Sequence, residues 1–138
     1  QNSIGTTALM SAALLGRVQV VGTLLRHGAE INVQAGDGHT ALTSADYHGH
    51  TALTLAPHNG YERVVELLLQ HGAEVDLQNG AGCTALTGAA YHGHPAVVLC
   101  LLRAGADMAL RTAAGETALQ IAKEKGHTEC VAAVKTYL

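Results

Sequence analysis

The chain contains no tryptophan and no phenylalanine, and only four tyrosines among 138 residues. A core of large aromatic side chains is thereby excluded, and apolar packing falls to Ala, Leu and Val within a hydrophobic fraction of 48%. Such side chains suit closely spaced helices rather than a deep pocket. Prolines number two against sixteen glycines, which excludes Pro-rich linkers and implies frequent, regularly placed turns. Lys and Arg total eight, form no run, and leave a net charge of −3. Phosphate neutralisation cannot supply affinity on such a surface, so no nucleic-acid partner is expected. No stretch of eighteen apolar residues exists and no signal-peptide pattern opens the chain, so no membrane partner is expected. Cys83, Cys100 and Cys130 are odd in number, far apart and without CxxC spacing. They exclude a disulfide framework and point to free thiols in a reducing, intracellular compartment, cytoplasmic or nuclear. The length fits one domain, and a start at Gln1 rather than Met suggests a piece of a longer protein.

Repetition is what the chain does have. Thr-Ala-Leu begins at residues 7, 40, 51, 84 and 117, with gaps of 33 except for one of 11 between 40 and 51. A second marker, Gly-Ala followed by an acid, keeps step at Gly28–Glu30, Gly72–Glu74 and Gly105–Asp107. The Thr hydroxyl is placed to cap a first helix. Ala-Leu-x-x-Ala then puts small residues on one face for close helix approach. Gly16, Gly60, Gly93 and Gly126 are expected to end that inner helix in the left-handed conformation. A second, outer helix follows, carrying Val20, Val21, Leu24 and Leu25, then Val64 to Leu69, then Val97, Val98, Leu101 and Leu102. Its stop is Gly28, Gly72 or Gly105, and about ten polar or small residues make an extended finger and tight turn before the next unit. A single such hairpin cannot bury its own apolar face, so the units must stack. The last unit reads as an end cap, with Lys123, Glu124 and Lys125 on its inner helix.

These features resemble the ankyrin repeat family over about the whole chain, most closely in GCTALTGAAYHGHPAVVLCLLRAGAD (82–107) and HTALTLAPHNGYERVVELLLQHGAEVD (50–76). The resemblance implies an all-α solenoid of stacked helix-turn-helix hairpins with short extended fingers, in one domain. Units are expected at about 5–37, 50–81, 82–114 and 115–138, with 38–49 partial. Two departures stand out. The family's Thr-Pro-Leu-His opening reads Thr-Ala-Leu followed by Met10, Thr43, Thr54, Thr87 or Gln120, which removes a pre-set first residue and a bridging imidazole. Moreover, 40–50 and 51–60 are two inner-helix sequences in succession. Asp46 and Pro57 each occupy a place suited to a small buried Ala. Either copy could stack; 51–60 reaches Tyr61-Glu62-Arg63 by the shorter turn.

No catalytic constellation emerges. His48-Gly49-His50 and His92-Gly93-His94 could offer two metal ligands, but no Cys, Asp or Glu partner shares their spacing, so they read as structural turns. Cys83, expected to be exposed on a finger, has no base or oxyanion site assigned to it. Cys100 and Cys130 read as small core residues, and His27 and His71 as structural groups in the last turns of outer helices. Gly36-Asp37-Gly38 and Gly80-Ala81-Gly82 lack a phosphate-loop pattern and belong to finger turns. The expectation is therefore no enzyme, no cofactor and no metal. The family resemblance implies instead a monomeric module, or a spacer within a larger protein, that binds a protein or peptide in its concave groove. Carried onto this chain, that groove comprises Tyr47, His48, His58, Asn59, Tyr91 and His92 at inner-helix ends, flanked by Leu14, Leu15, Glu124 and Lys125. Asp37, His39, Ala81, Cys83, Arg111 and Glu116 complete it on the fingers.

Overall fold

The computed structural model describes residues 7–36, 38, 40–42 and 59–138. Among these, seven helices occur in the order α1 (Ala8–Leu14), α2 (Val18–Arg26), α3 (Asn59–Gln70), α4 (Ala85–His92), α5 (Pro95–Arg103), α6 (Ala118–Glu124) and α7 (Thr128–Lys135). No strand occurs among the described residues. The helices pair as hairpins α1–α2, α4–α5 and α6–α7; α2, α3, α5 and α7 pack in file as outer helices, and α4 packs on α6 as an inner pair. Each layer leans on the next, which is the solenoid the period implied.

The Thr of each Thr-Ala-Leu performs the capping its chemistry suggests. Thr7, Thr84 and Thr117 are extended, and their hydroxyls accept from the backbone N–H of Met10, Thr87 and Gln120. In α4 and α6 the exchange is reciprocal: Thr87 Oγ1 accepts from Thr84 N at 2.8 Å and Gln120 Oε1 from Thr117 N at 2.9 Å. Where the family carries a bridging imidazole, Thr87 bonds within its own turn, donating also to the Thr84 carbonyl at 3.0 Å. Both Thr84 and Thr87 are buried. Thr84→Ala should therefore cost about 1–2 kcal/mol, the upper range for a lost N-cap. Thermal unfolding should register it as a midpoint lowered by roughly 3 °C per kcal/mol at this length.

Small side chains form the seams. Ala13, Ala89, Ala90 and Ala122 are wholly buried on the inner helices, as are Val21, Val64, Val65, Leu68, Val98 and Leu101 on the outer ones. Gly16, Gly93 and Gly126 take positive φ at the ends of α1, α4 and α6, as expected. Gly60 does not. It lies in the first turn of α3, which begins at Asn59.

Despite the extra eleven residues, the joint between the first two layers is regular. The Tyr61 ring lies against Gly16 and its hydroxyl donates to the Leu14 carbonyl at 3.1 Å, across 47 residues. The His127 ring lies against Gly93 and its Nε2 sits 3.1 Å from the Tyr91 carbonyl, across 36 residues. Thr40, Ala41 and Leu42 are buried, and Ala41 and Leu42 are helical. The surplus thus falls between Leu42 and Asn59, and the remainder of both inner-helix copies, with Asp46 and Pro57, lies outside the described residues.

The fingers are laced by side chains at one register. Gln34 Nε2 donates to the Gly38 carbonyl of its own finger and to the Gln78 carbonyl of the next. Gln78 Nε2 repeats this toward Gly82 and Arg111, at 2.9 and 3.1 Å. Asn32 and Asp76 add a second rung, each accepting a backbone N–H from the following finger, that of Glu74 and Asp107 respectively.

Candidate partner-binding face

The last turn of α4 presents Tyr91 and His92 together. Tyr91 is 50% exposed, an unusual place for a large side chain in a chain so poor in aromatics. His92 is half-buried and meets it edge-on, with ring centroids 5.1 Å apart. Lys125, one unit further on, lays its Nζ over the Tyr91 ring at 4.5 Å from the centroid. The His127 ring meanwhile holds the Tyr91 carbonyl, so the backbone beneath the aromatic is tied to the next layer. Tyr91 is thus pre-positioned, with its cationic neighbour already in place.

Glu116 approaches the same corner from the finger. Its carboxyl shares a hydrogen bond with Glu124, which, with the repulsion between the two, raises its pKa above the usual carboxylate value; Lys125 acts in the opposite sense. Arg111 is exposed, and its Nη1 braces its own finger by donating to the Gly115 carbonyl at 2.7 Å. Cys83 is half-buried rather than exposed, because Asn79 Oδ1 draws in its backbone N–H and folds the turn over it. The structure brings Tyr91, His92, Glu116, Glu124 and Lys125 to one corner, while Cys83 and Arg111 sit on successive fingers linked through Gln78. At the other end of the row Leu15 is 62% exposed and Leu14 part-buried, in the places of His92 and Tyr91. Asp37, His39, Tyr47, His48 and His58 lie outside the described residues, as does the side chain of Asn59.

His27 and His71 serve the backbone of their own helices. His27 Nδ1 and His71 Nδ1 lie 2.8 and 2.9 Å from the carbonyls of Thr23 and Leu67, one turn earlier. His94 is buried at the start of α5, its ring 6.2 Å from that of His92. Cys130 is a core residue, and burial, with Glu129 nearby, pushes its thiol up to about 11. Cys100 corrects the expectation of a core residue: it is half-buried, with Glu62 and Glu66 of α3 facing its sulfur. Spacing along the chain hid this group, since its members come from two helices. No helix among the described residues is long and apolar enough to cross a membrane.

Compared with protein families, the chain matches the model described as ankyrin repeats in three copies, over residues 1–79 and 38–112. No curated protein matches it.

Proposed function

This chain belongs to the ankyrin repeat family, and we propose that it binds an extended peptide or a folded protein partner along the row of inner-helix ends and finger tips. Ankyrin repeats are generally protein–protein interaction modules and typically not enzymes. The observation that carries the reading is Tyr91: half exposed, anchored through its own carbonyl, and stacked by Lys125. Such a residue offers a partner apolar area and a hydroxyl at little entropic cost, since its backbone is already fixed. His92, Arg111, Glu116 and Cys83 flank it, and the same surface continues in our assignment to Asp37, His39, Tyr47, His48, His58 and Asn59. In this reading the chain acts as an intracellular monomer, with repeat units at about 5–37, 50–81, 82–114 and 115–138 and a partial, irregular segment at 38–49.

The test is a partner captured from cell extract and titrated against the double variant Tyr91→Ala, His92→Ala. Affinity should fall about tenfold or more, as for loss of a central aromatic anchor, with helical circular dichroism unchanged. Tyr137→Ala, 40% exposed at the far end of the chain, should bind as the parent does. Equal affinities across all three proteins would remove the assignment.

A further inference from the structure

Away from the groove, three donor atoms converge where α3 and α5 meet. Glu62 and Glu66 are one helical turn apart, so both carboxylates leave the same face of α3. Cys100 stands opposite on α5, its Sγ 4.0 Å from Oε1 of each. The three ligand atoms lie within 4.8 Å of one another, and all three residues are half-buried. Glu66 and Cys100 also line a surface hollow with Gln70 and Arg103, which leaves a route for a small solute to enter.

We propose that Glu62, Glu66 and Cys100 form a site for a borderline-soft divalent cation of the zinc class, fastening one outer helix to the next. The donor chemistry selects that class. Calcium takes six to eight oxygen ligands and magnesium a near-ideal octahedron of oxygens, neither of which a sulfur-bearing trio supplies. One thiolate and two carboxylates give three protein ligands and leave a fourth tetrahedral position for water. On binding, the Cys100 S–H bond breaks as the sulfur–metal bond forms, and the proton leaves to solvent with no change of oxidation state. Three ligand charges against two on the cation leave one negative charge, with the Arg103 guanidinium beside it. This site is independent of the partner-binding reading.

Cadmium is the direct probe, because a cadmium–thiolate bond absorbs in the ultraviolet where the metal-free chain gives no such band. Titration of the whole chain should raise that band to a limit of one equivalent. Cys100→Ser should abolish it, while Cys83→Ser and Cys130→Ser keep it. Glu62→Gln and Glu66→Gln should each weaken binding more than about tenfold, the least that removing even an outer-shell partner commonly costs. Zinc should raise the unfolding midpoint of the parent and leave that of Cys100→Ser in place. A band that survives in Cys100→Ser, or one indifferent to both glutamate variants, overturns the proposal, as does the absence of any band.

Discussion

Gly82→Ala should destabilise the chain by about 3 kcal/mol, whereas Gly105→Ala should cost only about 1 kcal/mol. Both glycines have left-handed backbone, φ +74° and +89°, where an L side chain is penalised by roughly 1–2 kcal/mol. Their surroundings differ. A Cβ at Gly105 meets nothing within 4 Å. A Cβ at Gly82 would stand 2.8 Å from Ala113 N and 3.1 Å from the Thr112 carbonyl carbon, backbone atoms of the neighbouring finger that no rotamer change can move. The two fingers must part there, at the point where Ala113 N donates to the Ala81 carbonyl at 2.9 Å and Gln78 reaches the Arg111 carbonyl. Overpacking of this kind costs about 1–3 kcal/mol, and the strained hydrogen bonds add to it. Thermal unfolding of the two variants side by side is the measurement: a midpoint roughly 10 °C down for Gly82→Ala and about 3 °C down for Gly105→Ala. Equal losses would mean that the fingers are not in backbone contact.

That contact also marks how far the sequence could be read. Thr84 and Thr117 were legible as caps because a hydroxyl before Ala-Leu has one obvious use, and the positive-φ glycines were legible because nothing else accepts that backbone cheaply. The register then implies that Lys125 lies one unit beyond His92, which is how it comes to cover Tyr91. Gln34, Gln78 and Arg111 occupy one register as well, yet polar finger residues read as solvated loop, and nothing in their type announces a lace between fingers. Gly60 was misread for a different reason. Its position matches Gly16, Gly93 and Gly126, yet it lies within α3, and spacing alone does not distinguish it from the three that stop a helix. Cys100 was placed in the core because a small sulfur side chain among Val and Leu looks apolar. Its neighbours Glu62 and Glu66 are 38 and 34 residues distant and become adjacent only through the stack.

Leu101→Ala tests the stack itself and should be the most damaging single truncation, at about 3 kcal/mol. Leu101 is wholly buried on α5, the outer helix that packs on α3, α4 and α7 together. Removing its branched end leaves a cavity between layers, and losses of 2–5 kcal/mol follow such a change in a site that cannot collapse. Here collapse is opposed from both sides, because the flanking units are held at fixed spacing by the finger lace and by His127 on Gly93. Against a whole-domain stability of about 5–15 kcal/mol, that is a large share. The helices cannot compensate locally: α4, α5, α6 and α7 are only seven to nine residues long, too short to persist without tertiary support. Leu15→Ala, at 62% exposure, is the matched control and should stay within about 0.5 kcal/mol of the parent. Because contacts run only between neighbours, the damage should also be uneven. Amide exchange in α6 and α7 should quicken more than in α1 and α2, since the C-terminal hairpin loses the layer it leans on. Uniform acceleration along the chain, or a Leu101→Ala urea midpoint matching that of Leu15→Ala, would contradict a core shared from layer to layer.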